Sequence, residues 1–597
     1  MNPNTVLTAL FGAVLVLLTG ARLMMSLTLH MWYAWVQGAD DYLLMHQALK
    51  GYASSDDSMT LAKNPGYGYW IRLFSKLGLT ADLAQFLIWF AASLIVALAF
   101  QKLFGKPVLT AIVYVYVLWN PIAFENWLGT RFYRNSLFAP LTFLLVGLLI
   151  LFIDMVIPIR SRNGKESDAP QHASSRVQSE KVTWAQLFRF VLVAVGVGAS
   201  ACLMYLLRED SVWLLPMLLF VLIVKIVIVI RANLQIATTC IILLFSLLPA
   251  LTLIAGIAVS MKVNQHYFGV ALLNTRTQGE LAGFVNRTYE VDNAEQNPDI
   301  WAPPSSIQQV IDVSPTLQHE PELIEQLYHA HFASPDIKQH PLRGDFLTWQ
   351  IRLSVQSSGG WQNEAAVQRL FHRINTEIDQ AYQDGRLRKS DKFFLSSSLV
   401  PRTQQQIIGL SGQTARSFWW NFDCSSQYRP TTGKNDIATD PKNIEGLHKM
   451  DVDPANPNPV HFGFFTVNNA QNLSMHIVTI YSVVNKILAF IFITSIALSL
   501  FVRTRMRQQS EGPIIILGIL LLMYALFYGF SVAWFTEYVH DAYVTFFYTV
   551  GTTSPFVSIG LLLALGAMQL NLAALRDARV TPEDVVSQDD SPLRTLG

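Results

Sequence analysis

The sequence predicts an all-α polytopic membrane protein with about ten transmembrane helices and one large extracytoplasmic insertion. Of its 597 residues, 51% are hydrophobic and only 14% are charged, whereas soluble domains carry about 25% charge. Apolar runs of about 17–25 residues, long enough to cross a bilayer, recur along the chain. Lys and Arg collect in alternate connections between these runs, which is typical of a multi-pass topology.

The apolar runs define the membrane elements in chain order. Predicted spans cover residues 5–27, 81–104, 108–124, 136–158, 186–207, 212–230, 236–261, 476–502, 513–533 and 542–567. The third run is the weakest, because Asn120 and Pro121 interrupt it and proline removes a helical hydrogen bond. No positive charge precedes the first run and no small-residue cleavage site follows it. We therefore expect it to stay in place as a signal anchor.

Basic residues set the predicted orientation. They lie between spans two and three (Lys102, Lys106), four and five (Arg160, Arg162, Lys165, Arg176, Lys181), six and seven (Arg231), and eight and nine (Arg503, Arg505, Arg507). In a ten-span chain all these connections share one side with both termini, and lysine and arginine favour the cytoplasmic side. The sequence thus predicts a multi-pass protein of the plasma (cytoplasmic) membrane whose functional site faces outward.

Four segments follow from this topology. They are an N-terminal membrane module at 1–261 with its first outer loop at 28–80, an extracytoplasmic domain at 262–475, C-terminal membrane helices at 476–570, and a cytoplasmic tail at 571–597. We expect the extracytoplasmic domain to be mostly helical or mixed. Apolar residues recur at helical spacing over 363–385, and over a shorter stretch at 320–332.

Composition excludes several classes of site. The three cysteines are Cys202, Cys240 and Cys424. Only the last lies in the extracytoplasmic domain, so that domain cannot close a disulfide of its own. No CxxC or Cys/His spacing suited to a metal is present, and we predict no metal centre. A formal net charge of +1 with scattered basic residues argues against nucleic acid as a partner.

The first outer loop carries the most informative motif. Asp40 and Asp41 follow the first span, a short amphipathic helix is predicted over 41–50, and Lys63-Asn64-Pro65-Gly66-Tyr67 forms a turn before a second helix. An Asp at the bilayer centre costs about 2.5–3.5 kcal/mol on insertion scales, so acidic groups near lipid usually have a function. The alternative is that the pair caps the surface helix, since Asp is a favoured N-cap. A carboxylate pair could also hold a divalent cation together with a substrate phosphate.

Other charged residues converge on the same predicted outer surface. They are Lys63, Arg131, Arg134, Arg208, Glu209, Asp210 and His540. Guanidinium groups match phosphate oxygens, and a carboxylate can take a proton from an attacking sugar hydroxyl. We assign Asp40 and Asp41 as candidate catalytic residues and Lys63, Arg131, Arg134 and Arg208 as candidate ligands of a donor phosphate. Glu209, Asp210 and His540 are candidates for binding or orienting an acceptor.

Simpler interpretations exist for some of these residues. Arg131 and Arg134 could snorkel toward lipid phosphates without serving a site. The run Arg208-Glu209-Asp210 could be a salt-bridged turn that contributes little free energy.

The acid in the first outer loop, the surface helix, and the Lys63-Asn64-Pro65-Gly66-Tyr67 turn before span two resemble the GT-C superfamily of membrane glycosyltransferases. The resemblance covers roughly residues 1–262. It implies a GT-C-like membrane core, and Asp40 or Asp41 as general base or acceptor-orienting acid. It also implies basic residues that bind the phosphate of a polyprenyl-phosphate sugar. The turn here has a single Pro preceded by Asn, where many relatives have Pro-Pro.

The sequence leaves three function classes open. The first is a glycosyltransferase that moves a sugar from a polyprenyl-phosphate donor to a cell-envelope glycan or glycolipid at the outer face, without a resident cofactor. The second is a transporter or flippase of lipid-linked glycans. It is disfavoured because the ionisable residues gather at the outer surface, whereas transport sites lie near the midplane. The third is a scaffold for the extracytoplasmic domain, for which ten spans are far more than an anchor requires. The enzyme is the favoured interpretation.

Overall fold

The computed structural model describes residues 3–29, 31–32, 40–50, 58–59, 61–155, 183–232, 235–329, 335–394, 399–424, 463–505 and 512–579. Within these residues every extended regular element is a helix, and β-pairing is limited to isolated bridges. The N-terminal module contains α1 (Pro3–Leu29), α2 (Asp40–Lys50), α3 (Gly66–Lys76), α4 (Ala81–Phe104), α5 (Pro107–Leu118), α6 (Arg134–Asp154), α7 (Trp184–Leu207), α8 (Leu214–Arg231), α9 (Ile236–Ser246) and α10 (Leu248–Phe268).

The remaining helices belong to the insertion and the C-terminal part. They are α11 (Gly279–Tyr289), α12 (Pro304–Val313), α13 (Pro315–Gln318), α14 (Pro321–Tyr328), α15 (Phe346–Ser357), α16 (Glu364–Gln383), α17 (Gln404–Gly409), α18 (Ser411–Asp423), α19 (Val467–Arg505), α20 (Gly512–Thr536) and α21 (Ala542–Arg579). The predicted helices at 41–50 and 363–385 are confirmed as α2 and α16. The helix predicted at 320–332 is shorter, because α14 ends at Tyr328.

Ten segments of the described chain are long and apolar enough to cross a membrane, which confirms the predicted all-α polytopic class. They are α1, α4, α5 with the 3₁₀ turn Pro121–Phe124, α6, α7, α8, the α9–α10 pair, α19, α20 and α21. As expected, the third is interrupted: α5 ends at Leu118, and Asn120 caps the turn that follows. Helices α10, α19 and α21 run beyond the predicted spans because their polar ends continue the same helix.

The connections alternate between the two ends of the helix bundle. Lys102, in the last turn of α4, lies 3.9 Å from Asp154 at the end of α6, which places the connections after these two helices at one end. Lys63, Arg134 and Glu209 meet at the opposite end, where the insertion also packs. We call this opposite end the insertion side. All the candidate site residues that the structure describes lie on it.

Two prolines inside membrane helices leave backbone carbonyls without their usual helical partners. Pro140 in α6 frees the carbonyl of Ser136, and the side-chain amide of Gln85 donates to that oxygen at 2.7 Å. Pro555 in α21 frees the carbonyl of Gly551, and the hydroxyl of Thr142 lies 2.8 Å from it. A carbonyl without a partner in an apolar bundle is costly, so these side chains let both helices keep their prolines.

Replacing Thr142 with Val should therefore destabilise the protein by about 1–3 kcal/mol, because the shape is conserved but the Gly551 carbonyl loses its donor. Ser93→Ala is the matched control. Its buried hydroxyl bonds to the carbonyl of Trp89 within its own helix, which the helix already satisfies. Thermal unfolding in detergent measures both variants. Equal melting temperatures for Thr142→Val and Ser93→Ala would contradict this role for Thr142.

The insertion has a core of its own. Helix α11 packs along α16, and the buried residues include Trp301, Ile351 and Phe371. The insertion is fixed to the first outer loop by Arg352, which is fully buried and donates at 2.8 Å to the carbonyl of Ser58. Thr275 likewise donates its backbone N–H at 2.7 Å to the carbonyl of Leu61. The insertion therefore holds that loop in place above the membrane helices.

Helix α18 differs from the rest of the insertion because it runs down between membrane helices. Gln413 donates to the hydroxyl of Thr545 at 2.7 Å, and Asn421 donates to Thr549 at 2.8 Å. At the end of α18, Cys424 lies beside Ser554. Nine residues of α21 separate Thr545 from Ser554, so α18 descends about 14 Å along that helix. An amphipathic helix this short does not produce a hydropathy signal, so the sequence placed it in the outer domain.

Candidate functional site

The site forms where four chain segments meet on the insertion side. Asp40 is the first residue of α2, Lys63 lies in the turn before α3, Arg134 begins α6, and Glu209 follows α7. Pro65 stands at the N-terminal boundary of α3. A Cβ on the next residue, Gly66, would lie only 2.4 Å from the backbone carbonyl carbon of Leu206. Only glycine allows this close approach, which brings Lys63 beside the end of α7.

Asp40 accepts contacts from three side chains. The ammonium of Lys63 lies 3.0 Å from its Oδ1, the hydroxyl of Tyr133 donates to Oδ2 at 2.8 Å, and a guanidinium nitrogen of Arg134 lies 3.7 Å from Oδ2. Lys63 and Arg134 are almost fully buried, at 5% and 4% side-chain exposure, while Asp40 is 24% exposed. The carboxylate is therefore the most accessible member of this charged group.

Glu209 neutralises the other side of Arg134. Nη1 of Arg134 lies 3.0 and 2.7 Å from the two carboxylate oxygens, and the backbone N–H of Asn64 donates to Oε1 at 3.0 Å. The side-chain amide of Asn64 also donates to the carbonyl of Tyr205. Arg134 is thus shared between Asp40 and Glu209, and the turn that holds Lys63 is fixed to the end of α7.

The insertion adds a second layer that sequence reasoning missed. Arg276 forms an ion pair with Asp345, and the hydroxyl of Tyr538 donates to Asp345 at 3.0 Å. The indole of Trp349 lies under both Lys63, at 4.8 Å, and Arg276, at 5.0 Å, where its ring face attracts cations. The charged cluster therefore consists of Asp40, Lys63, Arg134, Glu209, Arg276 and Asp345.

Burial and charge act in opposite directions within the charged cluster. Burial raises the pKa of the Asp40 carboxyl, but Lys63, Arg134 and Arg276 outweigh burial and hold that pKa well below its usual value. The same balance, with Arg134 as the largest opposing charge, lowers the pKa of Glu209 to about 2. Both groups are carboxylates at neutral pH. For Lys63, burial lowers the pKa to about 8 although Asp40 raises it.

Other sequence-predicted residues lie beside the charged cluster or away from it. Arg208 forms a bidentate ion pair with Asp210, with hydrogen bonds of 2.9 and 2.6 Å, and also donates to the carbonyl of Tyr548. Arg131 lies over the rings of Trp32, Trp127 and Tyr133 at 4.8–5.7 Å. His540 pairs with Asp299 at 2.8 Å and is 59% exposed, outside the charged cluster. The side chain of Asp41 lies outside the described residues.

The structure separates the residues in ways that spacing could not. Arg276 and Asp345 lie far along the chain in an insertion without a recognisable motif, so no sequence signal linked them to Asp40. Tyr133 was not predicted as a site residue, although it directly precedes Arg134 and its hydroxyl can donate a hydrogen bond to a carboxylate such as Asp40. Among the described residues, no group of three or more His, Cys, Asp or Glu side chains is placed to hold a metal ion.

Comparisons with known proteins add little to this geometry. No family model and no curated protein matches the chain. Among solved structures, ArnT from Cupriavidus metallidurans in the apo state aligns with 96% of this chain and 81% of its own, at 10% sequence identity and a TM-score of 0.26. The functional interpretation of this protein therefore depends on the charged cluster.

Chemically, the charged cluster offers an ionised and reachable carboxylate next to several buried cations. The cations pair with the carboxylates of the cluster, and each cation could also contact a phosphate. Because the site lies at the ends of membrane helices, it can meet a substrate whose polar part sits at the membrane surface. This combination suits transfer of a group away from a lipid-linked phosphate.

Proposed function

We propose that this protein is a membrane glycosyltransferase that moves a sugar from a polyprenyl-phosphate donor to a glycan or glycolipid acceptor. The observation that carries the proposal is the pairing of the accessible Asp40 carboxylate with the buried cations Lys63 and Arg134 at one end of the membrane bundle. Arg276 adds a third cation from the insertion. The GT-C resemblance of the first outer loop points to the same reaction.

In the proposed reaction, the donor phosphate binds Lys63, Arg134 and Arg276. An acceptor hydroxyl attacks the anomeric carbon, the bond from that carbon to the phosphate oxygen breaks, and the lipid phosphate leaves with the bonding electron pair. Asp40 takes the proton of the attacking hydroxyl. The cations stabilise the negative charge that develops on the leaving phosphate.

The low pKa of Asp40 limits its strength as a base. A carboxylate held well below its usual pKa is a weak base, because Lys63 and Arg134 stabilise its charged form. A donor phosphate that binds these cations would pair with them in place of Asp40, so their positive charge would stabilise the Asp40 carboxylate less. We therefore expect the pKa of Asp40 to rise when the donor binds, so that the base becomes effective only with the substrate in place.

The first experiment uses the full chain in nanodiscs with a panel of polyprenyl-phosphate sugars. Thermal stabilisation and release of free polyprenyl phosphate are measured together. We expect one donor to stabilise the protein and to be turned over, and both signals to be lost in an Arg134→Ala variant. A panel that gives neither stabilisation nor release would contradict the proposal.

Donor binding should weaken as the pH rises above about 8, the pKa of Lys63. Below that pH the ammonium is charged and attracts the phosphate, and above it the neutral amine does not. If the contact requires the proton, affinity falls by up to tenfold per pH unit. A Lys63→Arg variant should bind with little pH dependence up to pH 10, since guanidinium stays charged. An unchanged affinity of the natural protein from pH 7 to 10 would exclude Lys63 from the phosphate site.

One observation favours the second candidate, a transporter or flippase of lipid-linked glycans. Asp423, near the end of α18, forms an ion pair of 3.1 Å with Lys486 in the middle of α19. Ion pairs at membrane depth beside a short descending helix occur in transport proteins. Lipid translocation in proteoliposomes, without release of polyprenyl phosphate, would select this function over the first.

A further inference from the structure

A cavity lies on the insertion side, between the start of α18 and the turn that joins α20 to α21. Its volume is about 330 Å³, and its lining residues are Gly412, Gln413, Arg416, Glu537, His540 and Ala542. None of these belongs to the charged cluster. We call it the interface cavity.

Arg416 is the lining residue of the interface cavity whose charge has no ion-pair partner among the described residues. The neighbouring carboxylates already have contacts: Glu537 pairs with Arg402, and Asp299 pairs with Arg343 at 3.1 Å. Asp541 accepts the backbone N–H of Tyr543 at 2.9 Å. Across the part of the chain that the structure describes, no hydrogen bond, ion pair or ring contact engages the guanidinium of Arg416. The cavity therefore presents a guanidinium that is free to contact an anionic ligand.

The position of the interface cavity along the axis of the membrane helices indicates which class of ligand can reach it. α20 ends at Thr536 and α21 begins at Ala542, so the turn between them marks the end of the membrane-crossing helices. Gln413, in the first turn of α18, is bonded to Thr545 in the first turn of α21. From the ends of these helices, we infer that the cavity lies near the level where lipid head groups meet the hydrocarbon.

The exposed face of α18 fits the same position. Arg416 and Trp419 are three residues apart, hence on one helix face, and both are exposed, Trp419 at 52%. Tryptophan is enriched at membrane–water interfaces. Because side chains tilt toward the N-terminus of their helix, and the N-terminus of α18 is its end on the insertion side, Arg416 is directed toward the head-group level. Its guanidinium is placed to meet a lipid phosphate rather than bulk solvent.

We propose that the interface cavity binds the head group of an anionic membrane lipid, whose phosphate contacts Arg416. This inference goes beyond the proposed glycosyl transfer and does not require it. Contacts connect the cavity to the charged cluster. Tyr538 lies in the turn that forms the cavity wall and donates to Asp345, which forms an ion pair with Arg276. A lipid in the cavity would therefore stabilise the turn that positions Arg276.

The test is a lipid titration of the purified full chain in detergent, followed by thermal unfolding and by native mass spectrometry that counts retained lipids. The titrants are phosphatidylglycerol, phosphatidylcholine and inorganic phosphate. We expect phosphatidylglycerol to bind and stabilise the natural protein, and Arg416→Ala to weaken that binding about tenfold, the effect of losing one charge-assisted contact. Arg416→Lys, which keeps the positive charge, should retain most of the affinity.

Arg369→Ala is the matched control. Arg369 is also an exposed arginine without a contact among the described residues, but it lies on α16 in the insertion. It should bind phosphatidylglycerol like the natural protein. Equal binding by Arg416→Ala and Arg369→Ala would overturn the proposal, and equal stabilisation by inorganic phosphate would show a phosphate site rather than a lipid site. Because no turnover is measured, failure of the glycosyltransferase proposal would leave these outcomes unchanged.

Discussion

Asp40→Asn is expected to reduce kcat for glycosyl transfer by about 10²–10⁴-fold, the range that a positioned general base contributes. The amide keeps the shape of the carboxyl group but cannot accept the proton of the acceptor hydroxyl. Donor binding should persist or strengthen, because Lys63 and Arg134 lose the carboxylate that pairs with them. Steady-state transfer rates and donor affinity, measured separately in nanodiscs, distinguish the two effects.

Two further variants complete this experiment, one as a control and one as a test of the neighbouring acid. Asp379→Asn removes a carboxylate that pairs with Arg287 at 2.7 Å on the insertion, away from the charged cluster, and it should leave transfer unchanged. Asp41→Asn tests the neighbouring acid that the sequence did not separate from Asp40. Full activity of Asp40→Asn together with a large loss in Asp41→Asn would assign the base to Asp41.

Arg134→Ala should abolish donor binding and also destabilise the protein by about 3–5 kcal/mol, the usual cost of breaking a buried ion pair from one side. Arg134 is 4% exposed and bonded to both oxygens of Glu209, which is itself 9% exposed. Removing the guanidinium leaves Glu209 as a buried charge whose nearest cation is gone. Chemical or thermal unfolding in detergent gives the stability, and donor titration gives the binding.

A double-mutant cycle separates these two roles of Arg134. In Arg134→Ala/Glu209→Ala the uncompensated carboxylate is absent, so the double variant should be more stable than Arg134→Ala alone. It should still fail to bind the donor phosphate, because the cation is missing. Recovery of donor binding in the double variant would show that Arg134 acts through Glu209 only and does not contact the phosphate.

The sequence located much of the candidate site but could not arrange it. Asp40, Lys63, Arg134 and Glu209 were all assigned from their positions in outer connections, and the structure brings them within contact distance. Arg131 and His540 met the same criterion, yet one lies over aromatic rings and the other pairs with Asp299. Topology places a residue on one side of the membrane, but it does not specify which side chains face each other.

The insertion was the least predictable part. Helix α16 was evident from its amphipathic spacing, because one face packs on α11 and neighbouring helices while other residues are exposed. Arg276, Asp345 and α18 gave no comparable signal. An arginine that pairs with a distant aspartate leaves no periodicity, and a helix of 13 residues is too short for a hydropathy scan to place in the membrane.

By itself, the sequence determined the class of the protein, the order of its ten spans, and the side on which its charged loops gather. Long apolar runs and the asymmetry of Lys and Arg act locally, through transfer of each segment into lipid, so they can be read without contacts. Only the tertiary structure decided which charges pair, that the insertion supplies Arg276, and that α18 descends along α21. Those features depend on side-chain contacts between segments far apart in the chain, and no local property of the sequence records such contacts.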